Sequence, residues 1–142
     1  LKKKKINYKK NNQLKKWLIE PTKIYVRELT KLIDLKLINS CAHITGGGIK
    51  DNLLRIIPDG KCANIELNKI KIKKVFSWLK KNQISESEML KTFNCGVGFI
   101  VIIKKKNFFK IKKYFKKGYS PYIIGKVING KSKVLFNGKI NW

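Results

Sequence analysis

Three consecutive glycines follow a short apolar segment and form the most distinctive local feature of the sequence. Their backbone N–H groups are not covered by side chains, and a loop of this kind suits a phosphate or another oxyanion. The preceding threonine adds a hydroxyl donor, and an arginine follows on the next predicted helix. The sequence therefore predicts an anion-binding loop formed by Thr45, Gly46, Gly47, Gly48 and Arg55. The structural alternative is a flexible turn before a surface helix.

Two further polar residues lie close to this loop. His43 is the only histidine of the chain and stands just before the glycines. Imidazole changes its charge near neutral pH, so His43 is a candidate for proton transfer, and the alternative is a packed or solvated side chain. Asn52 precedes Arg55 by three residues, so a helix would place both on one face, where both could point at one ligand.

Metal and thiol chemistry find little support in the sequence. One histidine, with no cysteine at ligand spacing, cannot build a metal site, so no metal ligand is predicted. Cys95 precedes an apolar run, and we expect it to pack in the core. It would be a nucleophile only if the fold brought His43 to it as a base.

The eight carboxylates are scattered along the chain, apart from Glu86 and Glu88. That pair is explained by the start of a predicted helix, where negative charge is favourable. A magnesium–nucleotide site usually needs carboxylate ligands, and the chain contains neither a cluster of them nor a GxxxxGK[ST] loop. If the protein handles ATP, the metal ligands must lie elsewhere.

The composition is strongly basic, with a formal net charge of +26 over 142 residues. The basic residues are 32 lysines and only 2 arginines, whereas nucleic-acid readers favour arginine for its bidentate fork. Lys, Ile and Asn together fill 66 positions, a pattern that an AT-rich genome produces without selection for a polyanion. We therefore expect no specific nucleic-acid partner. A basic nucleic-acid-binding module remains the alternative function.

The three cysteines are far apart and form no CxxC pair, which argues against a disulfide scaffold and favours a reducing cytosol. The longest apolar run, residues 97–103, is too short to span a bilayer, and no signal peptide is visible. We expect a cytoplasmic protein with no membrane partner.

Hydrophobic periodicity and stop signals predict the elements that position these residues. Residues 1–13 are predicted to be a basic tail, and residues 14–142 one domain. Thr22 is a candidate helix cap, Ser85 with Glu88 forms a capping box, and a hairpin is expected across residues 129–130. The predicted helices are 23–33, 51–57, 73–81, 86–93 and 108–117, and the strands are 40–45, 62–67, 96–103 (buried on both faces), 122–127 and 133–136. This order indicates an α+β fold, with helices packed on a mixed, mostly antiparallel sheet.

Four motifs, in order, resemble the phosphoribosylformylglycinamidine cyclo-ligase family, also called aminoimidazole ribonucleotide synthetases. The resemblance covers roughly residues 14–130, with a weaker echo at 124–127. Lys91 stands where the family usually has Arg, and Phe99 where it usually has Met. The motifs are residues 18–26 (LIEPTKIYV), 42–48 (AHITGGG, followed by Asn52, Arg55 and Pro58), 75–79 (VFSWL) and 88–98 (EMLKTFNCGVG).

The resemblance implies the C-terminal domain of an enzyme of purine biosynthesis. Such enzymes use ATP and Mg²⁺, bound mainly by an N-terminal half, to close formylglycinamidine ribonucleotide into aminoimidazole ribonucleotide, and they are homodimers. His43 and Asn52 would be catalytic, and Asn94 would join the anion-binding residues of the loop. Whether the loop holds the substrate phosphate or the transferred phosphoryl group stays open. Another ATP-dependent enzyme of the same superfamily, such as a selenophosphate synthetase or a thiamine-phosphate kinase, is the second alternative.

Overall fold

The computed structural model describes residues 11–116, 118, 120–131 and 133–142. Its helices and strands alternate irregularly along this part of the chain. The helices are α1 (Asn12–Leu18), α2 (Val26–Asp34), α3 (Gly48–Leu54), α4 (Lys74–Lys81), α5 (Glu86–Thr92) and α6 (Phe108–Lys112). The strands are β1 (Ser40–His43), β2 (Lys61–Glu66), β3 (Phe99–Ile102), β4 (Gly125–Asn129) and β5 (Lys133–Asn137).

The strands form two sheets. Strands β1 and β3 pair antiparallel, with His43 opposite Phe99. Strand β2 lies between β4 and β5, antiparallel to the first and parallel to the second. The predicted α+β class with a mixed, mostly antiparallel sheet is therefore confirmed.

The predicted hairpin between the last two strands is wrong. Strands β4 and β5 lie on opposite edges of β2 and do not pair with each other. Asn129 is the last residue of β4, and Gly130 begins a connection that passes the start of β2, where the Gly130 N–H donates to the Gly60 carbonyl at 2.9 Å. Strand β2 is thus the central strand of its sheet, and its residues Cys62, Ala63 and Ile65 are buried.

The hydrophobic core joins both sheets to α3. Buried side chains from β1, β2, β3 and β5 meet Ile49 and Leu53 of that helix. Burial of this kind contributes about 1.5–3 kcal/mol for a fully buried Leu or Ile. A helix as short as α3 is marginal by itself, so packing of its apolar face holds it in place. The glycine loop enters this anchored helix directly, and its position is set by the core.

Helix starts agree with the sequence only in part. Ser85 caps α5, because its Oγ accepts a hydrogen bond from the Glu88 N–H at 3.2 Å. The Glu88 carboxylate accepts from the Thr92 hydroxyl at 2.7 Å, so the reciprocal half of the capping box is not formed. The Thr22 cap is wrong, because α2 begins after Tyr25 with no side-chain cap.

Near the N-terminus, Asn11 caps α1 through a 2.9 Å bond from the Leu14 N–H. That helix therefore begins two residues before the predicted domain start at residue 14. The rest of the predicted tail, residues 1–10, lies outside the described residues.

Two predicted elements are shorter than expected. The predicted strand 96–103 is present only over Phe99–Ile102, and its expected burial on both faces is wrong: β3 has one partner strand, and only Ile100 is buried. Cys95 and Gly96 have positive φ angles of 50° and 94°, which turn the chain before the strand begins. Helix α6 ends at Lys112, five residues before the predicted end, and Lys117 lies outside the described residues.

Candidate functional site

The glycine loop leaves β1 and enters α3 within a few residues. Strand β1 ends at His43, and α3 begins at Gly48, three residues earlier than the predicted start at residue 51. Gly47 is the cap of this helix, with φ 87°, and Gly48 has φ 61°. These left-handed angles favour glycine, because a Cβ would approach the neighbouring carbonyl oxygen.

The outer part of the loop is open. Thr45 and Gly46 are exposed, and a Cβ placed on Gly46 would meet nothing within 4 Å. The Gly48 N–H donates to the Thr45 carbonyl at 3.1 Å. Within the described residues, the N–H groups of Gly46 and Gly47 donate no hydrogen bond. These two N–H groups therefore have no protein acceptor among the described residues, and anion binding by the loop stays a prediction.

Asn52 holds the loop from inside. It is 5% exposed, and its Nδ2 donates to the carbonyl of Gly46 at 3.2 Å and to that of Gly48 at 2.7 Å. The amide group has two hydrogens, and these two bonds use both. The contacts of Asn52 are therefore those of a residue that positions the loop.

Arg55, the other residue predicted to bind an anion with the loop, lies at the opposite end of α3 from the glycines. Arg55 is exposed and follows the last residue of the helix. At about 1.5 Å per residue, the seven-residue helix places its backbone roughly 10 Å from that of Gly48 along the axis. The helix therefore separates the Arg55 backbone from the loop, whereas Asn52 contacts the loop directly.

Asp51 is a neighbour of the loop that sequence reasoning missed. A Cβ placed on Gly47 would lie 2.9 Å from both Cβ and Oδ2 of Asp51, so the carboxylate lies against the loop backbone. The signal was its spacing of four residues from Gly47, which puts both on one helix face. Because like charges repel, Asp51 disfavours an anion unless a cation accompanies it.

His43 lies at the end of β1 with its side chain exposed. Its ring is stacked on that of Phe99, with centroids 5.6 Å apart and planes 15° apart. A second aromatic ring, that of Tyr25, lies 5.5 Å from the Phe99 ring at an angle of 49°. A Cβ on Gly98 would collide with the Tyr25 hydroxyl, so this approach needs glycine. The structure thus brings together residues of three motifs that are distant in sequence: 18–26, 42–48 and 88–98.

Asn94 lies in the turn after α5, next to the inner side of the loop. Its Oδ1 accepts a hydrogen bond from the Gly96 N–H at 3.0 Å, and its carbonyl accepts from the Val97 N–H at 2.8 Å. A Cβ on Gly48 would collide with the Leu90 carbonyl oxygen and would lie 3.2 Å from the Phe93 carbonyl oxygen. The glycine loop and the Asn94 turn are therefore in close backbone contact, and the side-chain oxygen of Asn94 is used within its own turn.

Cys95, in the same turn, is fully buried, and its Sγ donates to the Met89 carbonyl at 3.5 Å. Burial, helped by the negative charge of Glu86, raises the pKa of the Cys95 thiol to about 11. A thiol with this pKa is not a nucleophile near neutral pH, which agrees with the packing role expected for it.

The described residues contain no group of three or more His, Cys, Asp or Glu side chains that could hold a metal ion. Nor does this part of the chain include a helix with the length and apolar character needed to cross a membrane. A mainly apolar cavity of about 690 Å³ has Tyr25, Phe99, Phe108 and Tyr122 in its lining. The residues of the glycine loop, His43 and Asn52 do not line it.

Comparison with known proteins shows the family. The family described as "AIR synthase related protein, C-terminal domain" matches residues 1–137, and the chain belongs to it. The match includes the segment 1–13, which the sequence predicted to be a tail. It confirms the resemblance that the four motifs indicated.

Curated relatives point in the same direction. The chain is 38% identical over 126 residues to "Phosphoribosylformylglycinamidine cyclo-ligase" of Bacillus cytotoxicus, which covers 87% of this chain and 36% of the relative. It is 42% identical over 114 residues to "Trifunctional purine biosynthetic protein adenosine-3" of Chironomus tentans, covering 80% of this chain and 8% of the relative. The chain therefore spans about a third of one relative and less than a tenth of the other. These names support the cyclo-ligase interpretation and not the nucleic-acid-binding alternative.

Proposed function

We propose that this chain is the C-terminal domain of a phosphoribosylformylglycinamidine cyclo-ligase of purine biosynthesis. The reaction would convert formylglycinamidine ribonucleotide and ATP into aminoimidazole ribonucleotide, ADP and phosphate. Family membership and the name of the Bacillus relative support this assignment. The observation that carries it is the exposed glycine loop, which begins two residues after His43. The N–H groups of Gly46 and Gly47 in this loop donate no hydrogen bond within the described residues.

The loop is proposed to bind a phosphate group. Gly46 and Gly47 supply two backbone N–H donors without a protein acceptor among the described residues, and the exposed Thr45 hydroxyl adds a third donor. Asp51 at the loop makes binding of a bare dianion less favourable, so we expect the bound group to arrive with a cation. Both the substrate phosphate and the phosphoryl group transferred from ATP meet this condition. Arg55 and Asn94 remain predicted ligands of the same group.

Asn52 is proposed to act on the reaction through the loop. Its amide hydrogens are occupied by the Gly46 and Gly48 carbonyls, which keeps the loop in one conformation before ligand arrives. Preorganised donors of this kind stabilise developing negative charge without reorganisation during the reaction. His43, exposed beside the loop, would accept the proton released by the nitrogen that closes the ring.

ATP and Mg²⁺ are proposed to be bound mainly by an N-terminal half of a longer protein. The described residues offer no cluster of metal ligands, so this chain alone does not fit a magnesium site. ATP, when bound, supplies the phosphoryl group that turns the amide oxygen into a leaving group. This chain's own residues bind the phosphate, orient the substrate and move the proton at the attacking nitrogen.

The other proposed partners follow from the same assignment. The whole enzyme would be a homodimer in which this domain packs against the N-terminal half, and the fragment alone would be inactive. We place it in the cytoplasm, which three unpaired cysteines, Cys41, Cys62 and Cys95, support.

The test uses the longer protein with His43→Ala and Asn52→Ala, and measures formation of aminoimidazole ribonucleotide and release of ADP. Proton transfer by a positioned side chain typically contributes 10²–10⁴-fold, so we expect kcat to fall by about 100-fold or more for His43→Ala. Asn68→Ala, at an exposed asparagine far along the chain from the loop, serves as the control and should keep normal turnover. Normal turnover in both site variants would overturn the assignment of His43 and Asn52 to the site, whereas an unaltered longer protein that forms no aminoimidazole ribonucleotide would overturn the proposed function.

A further inference from the structure

The pairing of β1 with β3 places Phe99 directly across from His43. The N–H of Ile44 donates to the Gly98 carbonyl at 3.0 Å. In antiparallel geometry this bond makes the neighbouring pair, His43 and Phe99, a non-hydrogen-bonded pair. Side chains of such pairs lie on the same face of the sheet and are closer together than those of hydrogen-bonded pairs. The strand register therefore dictates the contact between the two rings.

The rings are nearly parallel. Their centroids are 5.6 Å apart and their planes differ by 15°, which is an offset-stacked arrangement. The His43 side chain is otherwise exposed, so its two side-chain torsions would be free to change on the surface. Stacking on Phe99 restricts the ring plane and, with it, the directions in which the two ring nitrogens form hydrogen bonds.

Phe99 is itself held in place from the other side. Tyr25 contacts its ring at 5.5 Å and 49°, and both Phe99 and Tyr25 are half-buried. The Tyr25 side chain lies against the backbone of Gly98, where any Cβ would collide with it. Phe99 is therefore a fixed surface under His43, supported by a residue from a distant part of the chain.

We propose that Phe99 is a positioning residue that holds the imidazole of His43 in the orientation needed beside the glycine loop. This inference rests on the proposed function, in which His43 exchanges a proton with the substrate. Aromatic pairs contribute enough free energy to favour the stacked orientation by about 2- to 12-fold. The alternative is that the two rings only stabilise the pairing of β1 with β3.

The stack can be observed directly, because His43 is the only histidine and gives one set of imidazole C–H signals in the proton NMR spectrum of the 142-residue chain. We expect a ring-current displacement of these signals in the wild type and in Phe99→Tyr. Phe99→Leu and Phe99→Met should remove it. Phe76→Leu removes a different aromatic pair, with Phe93 at 6.0 Å, and should leave the His43 signals in place.

The role in the reaction is tested in the longer protein with the same variants. We expect Phe99→Leu and Phe99→Met to lower kcat by about 2- to 12-fold with KM within about twofold of wild type, because the ring orients His43 and does not bind substrate. Phe99→Tyr should restore kcat, and Phe76→Leu should not change it. A loss that follows thermal stability equally in Phe99→Leu and Phe76→Leu would show a structural role only and overturn the proposal.

The ring stack, the positioning role of Phe99 and the catalytic role of His43 are each contradicted by a different result. Unchanged His43 signals in Phe99→Leu and Phe99→Met would overturn the stack, while the proposed function could stand. If Phe99→Leu and Phe99→Met remove the ring-current displacement of the His43 signals but leave kcat unchanged, only the positioning role is overturned. Full activity of His43→Ala would overturn the catalytic role proposed for His43, and with it the purpose of the stack, even if the NMR result is as expected.

Discussion

The side-chain amide of Asn52 donates a 2.7 Å hydrogen bond to the carbonyl of Gly48, four residues earlier in the chain. The bond is buried, and Asn52 is one of the few buried polar residues of the described chain. Asparagine is a poor helix former, since its amide competes with the backbone for hydrogen bonds. In this chain the Asn52 amide stabilises the loop, because it donates to the Gly46 and Gly48 carbonyls where the helix begins.

Replacing Asn52 by Ala should therefore destabilise the fold as well as the loop. Removing the amide leaves the buried Gly48 carbonyl without this partner, and such a loss costs about 1–3 kcal/mol. We expect the free energy of unfolding, measured by urea denaturation, to fall by that amount with an unchanged m-value.

The anion affinity of the loop should fall in the same variant. Binding of inorganic phosphate with Mg²⁺, measured by calorimetry on the folded chain, would weaken in Asn52→Ala because the loop is no longer preorganised. Asn68→Ala is the control for both measurements, since Asn68 is exposed. Stability and phosphate binding equal to wild type in Asn52→Ala would show that the two amide bonds do not hold the loop in solution.

The stability of the fold should fall as pH rises from about 9 to about 11. The pKa of Cys95 is about 11 in the folded chain against an ordinary value of 9.0, because burial disfavours the thiolate. A folded pKa that is raised contributes stability in full below the unfolded value, and this stability is lost as pH rises through the folded value. Urea denaturation at intervals across this range measures the loss.

Lysines and tyrosines also titrate at alkaline pH, so the comparison must be with Cys95→Ala. That variant removes the thiol, and its unfolding free energy should decline less steeply between pH 9 and 11 than that of the wild type. Parallel declines in the two proteins would contradict the contribution of Cys95. Alkylation offers a second readout: at pH 8 in the folded chain, Cys95 should react with iodoacetamide far more slowly than the half-buried Cys41.

Glu20 and Lys73 form an exposed ion pair with their charged atoms 2.7 Å apart. We expect this pair to shift the titration of Glu20 but to contribute little to the free energy of unfolding. The hydrogen bond from Lys73, and then its charge, lower the pKa of the Glu20 carboxyl. A lowered pKa contributes stability above the unfolded value, and that stability is lost as pH falls through the folded value.

Carboxyl NMR titration of Glu20 in Lys73→Gln is the measurement, and we expect the pKa to rise towards the ordinary 4.5. Lys69→Gln breaks the separate pair with Glu66 and is the matched control, which should leave the Glu20 titration unchanged. An unchanged Glu20 titration in Lys73→Gln would show that the pair does not persist in solution.

Local signals in the sequence predicted local structure well. The cap of α5 was predicted because Ser85 and Glu88 interact over three residues, and β1 was predicted because an apolar segment ends at a glycine run. The position of β2 between β4 and β5 was not predicted. Its pairing depends on contacts between residues far apart in the chain, and the Asn129–Gly130 turn signal favours a hairpin in any local interpretation.

In the candidate site, too, local features could be predicted from the sequence and contacts between distant residues could not. The glycine loop and His43 could be recognised from residue types and spacing, whereas the stacking of His43 on Phe99 depends on the register of β1 with β3. The role of Asn52 was expected to be direct, because helical spacing puts it on one face with Arg55. Spacing does not reveal that the amide is buried and bonded to two loop carbonyls, since this depends on how the loop folds back over α3.

The glycines of the loop should differ sharply in their tolerance to alanine, although they are adjacent in sequence. Gly48→Ala introduces a Cβ that collides with the Leu90 carbonyl at a residue with φ 61°, so it combines backbone strain with a steric clash. We expect the free energy of unfolding to fall by more than about 2 kcal/mol, or the chain to fail to fold. Gly46→Ala places its Cβ in open space and should change stability by less than about 0.5 kcal/mol.

A third variant separates the two effects at Gly48. Gly60 also has a positive φ, 73°, but a Cβ there would meet nothing within 4 Å, so Gly60→Ala carries the strain without the clash. Its cost should be about 1–2 kcal/mol, between those of the two loop variants. If Gly48→Ala costs no more than Gly60→Ala in urea denaturation, the backbone contact between the glycine loop and α5 is looser than the structure shows. The loop would then owe its conformation to Asn52 alone, and the loss in Asn52→Ala should be correspondingly larger.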